Sequence, residues 1–323
     1  MNRRDFLRAV ALAPALVRAA PTVLAEAFGG TPLALVTADT ESHVAAVDLT
    51  TGRVHRRIET LPGPRSIESS LSTIAVVAHT AYGAVSLLDG RTLRIAHVLP
   101  DFDEPRYTAA EPGGRYAYVS DSGRGDVAVV DLHRGAIVRR LPLGGPARHI
   151  TIDRTGRHAW CALGAKAEVV AVLDVGDPAR PKLVRRLRPP FLAHDVGFTP
   201  DGKSVWVTSG DRGTIAVYSS GTGEPLLRLP ADAPPQHVTF IGGLAFVTSG
   251  DDGTLHVHRL RGGARVAATE IPAGSYNVQQ GFGLVLTPSL ERGTLCVLDD
   301  RGRRRFEKRI APSSHDACFV MSA

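Results

Sequence analysis

The chain has little of what usually makes a function easy to read. Its 323 residues include three cysteines, two tryptophans and two methionines, and aromatic residues make up 6%. Cys161, Cys296 and Cys318 form no C-x-x-C pair, which excludes a disulfide scaffold and a cysteine-built zinc or redox motif. Each lies in an apolar segment, where a thiol acts as a small hydrophobe. A Cys296–Cys318 bridge stays open for a chain that meets an oxidising compartment. So few tryptophans and methionines argue against an aromatic groove or a Met-rich binding surface. The apolar stretch AVALAPALV (9–17) holds Pro14 and is followed by Arg18, too short and interrupted to span a bilayer. There is no G-x-S-x-G elbow, no H-E-x-x-H and no EF-hand loop. Net charge is a modest +6. The one basic run, Arg301 to Arg305, has no interleaved aromatics and reads as a solvated outer edge, so no nucleic-acid partner is expected.

What the chain does have is repetition. A short apolar strand, a Gly- and Asp-rich turn and a second strand recur along it, as in YAYVSDSGRGDVAVVD (116–131) and SVWVTSGDRGTIAVYS (204–219). The period of roughly forty residues is that of propeller blades. Apolar residues alternate with small or polar ones, the spacing of half-buried strands. A third, charged strand such as KLVRRLRP (182–189) suits a blade's outer edge, where charge discourages foreign pairing. Another strand opens each unit, as in HITID (149–153) and HVTFI (237–241). The first unit lacks that strand, and the missing copy stands at the far end of the chain, Asp316 to Val320. The expectation is an all-β, seven-bladed β-propeller of four-stranded antiparallel blades, its ring closed by the C-terminal strand completing blade 1. One competing motif is discounted. Gly197 to Ser204 satisfies the P-loop pattern, but that loop needs a following helix, and here a strand follows a Thr199–Gly202 turn.

Two segments carry resemblances. Arg3, Arg4, Phe6, Leu7 and Arg8 fill the places of a twin-arginine export signal, and Ala25-Glu-Ala27 offers a cleavage point. Residues 1–27 are therefore expected to be a signal peptide and 28–323 a single propeller domain. The location implied is extracytoplasmic, with no transmembrane span in the mature chain. The phrases FTPDGKSVWVTSGDRGTIAVYS and GLAFVTSGDDGTLHVHRL resemble the YVTN-type seven-bladed propellers over about residues 31–323. The wider group that this resemblance implies includes the haem-binding propeller of nitrite reductase, amine dehydrogenase subunits, lactonases and periplasmic proteins without assigned chemistry.

Aligning the units on their opening strand produces two polar columns. The first is Arg65, Arg106, Arg148, His194, Gln236, Tyr276 and His315; the second is Ser66, Tyr107, His149, Asp195, His237, Asn277 and Asp316. In a propeller these become rings around one mouth of the channel. Loops from the same face are expected to bring Glu41, His43, His79, Asp121, Asp211, Asp251 and Asp252. Three readings stand side by side. The rings solvate a wet mouth; or Arg65, Arg106 and Arg148 hold an anionic small molecule or cofactor; or His149, His194, His237 and His315, with Asp195 or Asp316, bind a divalent metal. A haem-type cofactor fits the second reading, with His194, His237 and His315 orienting the ligand or ligating the iron. The expected ligand-binding set is Arg65, Arg106, Arg148, His149, His194, Asp195, His237, Tyr276, His315 and Asp316. The expected function is a monomeric, exported binding protein. The alternatives are an enzyme at the same mouth, lactonase-like or a metal- or haem-dependent oxidoreductase, and a platform for another exported protein.

Overall fold

The middle strands of each repeat are buried on both faces, the small and polar residues of the alternation as well as the apolar ones, rather than half-buried as the alternation alone implies. The computed structural model describes residues 30–323. Within them lie seven four-stranded sheets, every neighbouring pair antiparallel, with a single 3-10 turn at Thr80–Tyr82. In blade 2 the strands are Pro64–Ser70, Ile74–His79, Ala84–Asp89 and Arg94–Leu99. Blades 3 to 7 repeat the plan over residues 105–142, 150–187, 196–230, 238–270 and 279–309. Blade 1 takes its innermost strand, Ala317–Ser322, from the end of the chain. That strand pairs with Thr31–Ala38, Leu33 opposite Val320 and Val36 opposite Ala317. The opening strands of successive blades touch one another around the ring, which makes them the channel wall.

The core lies between blades rather than within any one of them. Tyr118, Val127 and Val129 of blade 3 pack on Ala159, Cys161 and Leu173 of blade 4. Trp160 of blade 4 packs with Val205 and Tyr218 of blade 5. Burying side chains of this size contributes about 1.5–3 kcal/mol each, so every seam is a substantial hydrophobic interface. Cys296 and Cys318 lie in different seams, and all three cysteines are free and buried, so the bridge left open by the sequence is not formed. The outermost strand carries a register shift against its neighbour in every blade, for example at Val129/Val130 and Val217/Tyr218. Such bulges twist an exposed edge away from foreign strands.

The Asp that ends the strand before the charged outer one, as in His43–Asp48, Ala84–Asp89 and Asp126–Asp131, has a structural use. Asp48, Asp89 and Asp131 each accept two backbone N–H groups of the following turn through Oδ1. The Thr199–Gly202 segment is a turn, with Gly202 at φ +69° donating its N–H to the Thr199 carbonyl at 2.8 Å, and Ser204 begins a strand.

Stitches between blades set the height of the rings. Thr208 Oγ1 accepts the Asp195 N–H at 3.0 Å and donates to the Gln236 carbonyl of the next blade at 2.7 Å. Thr37, Ser120 and Thr248 repeat this, reaching the carbonyls of Arg65, Arg148 and Tyr276. Ser66 reaches the Arg106 carbonyl, and the Asn277 amide reaches that of His315 at 2.7 Å. Six of the seven seams are therefore stitched at one height. The seventh, from blade 4 to blade 5, has Ala162 where the hydroxyl would be. Among the described residues it is held at this height by an Ala167–Ala193 backbone pair and a bond from His194 to the Ala165 carbonyl.

Candidate functional site

In blades 4 to 7 the innermost strand begins after the second column, at Ile150, Val196, Val238 and Gln279, so the two columns sit in the entry segment just outside the ladder. The stitches then turn both columns into rings at one mouth. The structure sorts their members into a central group and a rim.

His149, His194 and His237 converge. One ligand atom from each lies within 4.8 Å of the others. The ring centroids of His149 are 4.6 Å from His194 and 4.7 Å from His237. Tyr107 stacks on His149 at 4.2 Å. Gly210 makes room for His194, since a Cβ at that glycine would stand 2.9 Å from the His194 Cβ. His194 Nδ1 faces the Ala165 carbonyl at 3.0 Å, and His237 Nδ1 faces Asp195 Oδ2 at 3.4 Å. His149 is 1% exposed, and neither of its ring nitrogens has a hydrogen-bond partner. The His194 carbonyl is near it but outside hydrogen-bond geometry. Burial holds the pKa of His149 well below the usual range, helped by His194, His237 and Arg148. Burial also pushes His194 down to about 4, with His237 adding to it and the Ala165 carbonyl opposing. Both are neutral imidazoles at physiological pH.

Arg65, Arg106 and Arg148 share one arc, close enough that the first two depress the pKa of the third. Their surroundings differ. Arg65 pairs with Asp39 at 3.2 Å and Arg106 with Glu104 at 3.2 Å. Arg148 forms no ion pair among the described residues, and its buried Nε has no partner. Burial lowers its pKa, the Tyr107 phenol beside it raises it, and its two arginine neighbours lower it further. Tyr107 itself is pushed up to about 12 by burial, against the pull of Arg148.

The remaining ring members are engaged elsewhere. His315 lies outside the three-histidine group, its Nδ1 bonded to the Arg65 carbonyl at 2.8 Å. Tyr276 turns to the rim and donates its hydroxyl to Asp251 at 3.0 Å, where the Gln236 amide also donates at 3.0 Å. Asp195 and Asp316 each accept a backbone N–H of the next blade, from Val238 at 3.0 Å and Ile67 at 3.1 Å, so both also join blades. Of the loop residues, Asp121 binds the Asp103 and Glu104 N–H groups, His79 bonds Ser86 at 2.9 Å, and His43 pairs with Glu41 at 3.0 Å. Asp211 pairs with Lys166 at 3.4 Å, and Asp252 meets the Ser249 hydroxyl at 3.3 Å.

Below the second ring the channel widens into a cavity of about 350 Å³. Tyr107, His149, Asp195 and His237 line its upper end, and Glu68 and Gln279 line its wall. The size is within the range of small-molecule pockets. Two residues of this region were outside the expected binding set. Tyr107 stands in the second column and its signal was present. Glu68 lies two places further along the strand, in a row that otherwise reads Ala109, Thr151, Gly197, Thr239, Gln279 and Cys318. A lone acid in that row is the signal that finds it.

No family model matches this chain, and no curated protein matches it by sequence. Solved structures match it in shape. Dihydro-heme d1 dehydrogenase NirN in complex with DHE superposes with a TM-score of 0.63 at 16% identity, over 87% of this chain and 64% of that one. The chain thus spans less than two thirds of NirN. A functionally unknown protein from Desulfotomaculum acetoxidans DSM 771 gives a TM-score of 0.79 at 11% identity, over 90% and 99% of the two chains. Kuenenia stuttgartiensis hydrazine synthase gives 0.65 at 16% identity, over 82% and 91%. At these identities the likeness shows the seven-bladed propeller fold alone. The export signal expected at residues 1–27 lies outside the described residues. Among the described residues no helix is long and apolar enough to cross a membrane.

Proposed function

We propose that the chain is an exported binding protein of the YVTN propeller type, holding a small anion, or the anionic edge of a cofactor, over Arg148 at the ring-bearing mouth. The observation that carries this reading is the charge balance of the arginine arc. Arg65 and Arg106 have their carboxylates; Arg148 is half-buried, its Nε fully so, without one. A partly desolvated, uncompensated guanidinium is costly, and a ligand carboxylate supplies the missing partner through charge-assisted, often bidentate bonds. The paired Arg3 and Arg4 with Phe6 and Leu7 support export by the twin-arginine route. A haem-type cofactor is one ligand of the required kind, and NirN, similar in fold, was solved in complex with DHE.

The test is thermal unfolding against a panel of small mono- and dicarboxylates. A ligand at a hundred times its Kd stabilises a protein by about 2.7 kcal/mol. Wild type is expected to shift with at least one carboxylate, Arg65→Met to retain that shift, and Arg148→Met to lose it. An Arg148→Met protein that shifts as wild type does removes the reading.

A further inference from the structure

We infer that His149, His194 and His237 form a mononuclear centre for a divalent transition metal of the zinc or copper class, with a fourth position open to a small anion. Their ligand atoms lie within 4.8 Å of one another. A tetrahedral site with bonds of about 2.1 Å sets its nitrogens about 3.4 Å apart, a difference that side-chain torsions cover. An all-imidazole donor set suits zinc and copper and disfavours magnesium or calcium. Three protein ligands leave a position for an exogenous one, the pattern of open sites.

The hydrogen bonds around the rings prepare them for this. His194 donates Nδ1–H to the Ala165 carbonyl, and His237 directs Nδ1 at Asp195, which leaves Nε2 of each with its lone pair free. His149 has two buried nitrogens and no partner for either. Buried polar groups are nearly always satisfied, and a metal would satisfy one of these two nitrogens.

A second observation comes from the stitches and is independent of the rings. The seam that lacks the hydroxyl or amide stitch of the other six joins the blades of His149 and His194, and His194 itself reaches across it to the Ala165 carbonyl. A metal bound to both would add a cross-link where that stitch is replaced by Ala162, and through His237 it would extend to blade 6. Arg148, next in sequence to His149 and without a carboxylate, favours an anion in the fourth position. For that anion alone the inference rests on the reading of the mouth given above; the metal does not depend on it.

The experiment uses the full-length chain, stripped with a chelator and titrated with Co2+. Wild type is expected to take up a single Co2+ per chain with visible d–d absorption, which Zn2+ displaces. His149→Ala and His237→Ala are expected to abolish it, and His315→Ala to leave it unchanged. Asp195→Asn keeps an acceptor for the Val238 N–H but loses the charge beside His237, and is expected to weaken metal binding about 10–100-fold. Acetate should perturb the Co2+ spectrum of wild type and leave that of Arg148→Met unperturbed while its Co2+ stays bound. Circular dichroism checks folding; if His149→Ala fails to fold, His194→Ala, the least buried of the three, takes its place. No Co2+ or Zn2+ uptake by wild type, or undiminished uptake by a folded ligand variant, overturns the metal. Uptake without any acetate effect overturns the anion only, and carboxylate stabilisation without metal uptake leaves the anion reading standing and removes the centre.

Discussion

Glu68 shows how one residue takes its character from the channel. Burial pushes its pKa up to about 7, while the Ser69 N–H at 2.9 Å and the Gln279 amide at 3.2 Å pull the other way. An acid whose pKa is raised in the folded state favours folding least where it must ionise. Stability is therefore full at low pH, falls as pH rises from the unfolded value near 4.5 to about 7, and stays lower above that. Glu68→Gln is expected to stabilise the protein at pH 8 by up to about 3 kcal/mol, reduced by water in the cavity, and to change little at pH 4. Urea unfolding at the two pH values decides it; equal differences at both would refute the assignment. The same residue marks where sequence reading stops. Aligned repeats expose a lone acid in its row, but its altered acidity exists only because the channel surrounds it. Likewise the polar columns were plain in the repeat, and the choice among their members was not. His315 spends Nδ1 on the Arg65 carbonyl and Tyr276 its hydroxyl on Asp251, and both partners come from other blades or loops.

Strands meet at the hydroxyl stitches, and here the repeat was half legible. SVWVTSG and LAFVTSG share a Thr near the strand end, a letter visible in the sequence. Its task appears only when the next blade is placed beside it. Thr208→Val removes an acceptor for the Asp195 N–H and a donor to the Gln236 carbonyl, and is expected to cost about 1–3 kcal/mol in chemical denaturation. Ala162→Ser tests the opposite change. Ala162 bonds the backbone of Arg148 and His149 as Thr208 bonds that of His194 and Asp195, so a serine there can reach the His194 carbonyl. The metal-free variant is expected to gain about 0.5–1.5 kcal/mol, and its further gain on adding Zn2+ to be smaller than in wild type. Calorimetry with and without Zn2+ reads both; an unchanged Zn2+ increment would show that the metal does not brace this seam. The bulges of the outer strands had no signature in the letters, because they answer to twist rather than to composition.

At the scale of the molecule the closing strand was legible in full, since the first repeat lacked a segment and the chain's last residues matched it. The strand Ala317–Ser322 covers Thr31–Ala38, and its Phe319 and Val320 pack into the seams on either side of blade 1. Removing residues 313–323 is expected to leave an unpaired apolar edge and an aggregating chain. The matching synthetic peptide added during refolding should restore a soluble, cooperatively unfolding protein by adding a strand to that edge. Sedimentation and thermal unfolding check this, and a truncated chain as soluble and stable as the intact one would contradict it. Synthesis gives the same strand a timing role. A ribosome delivers blades 2 to 7 in order, each built from neighbouring residues, while Thr31–Ala38 waits for a partner nearly three hundred residues behind it. The nascent chain is thus an open arc with one unsatisfied apolar edge for almost the whole of translation, a standing client for a chaperone until the final strand emerges.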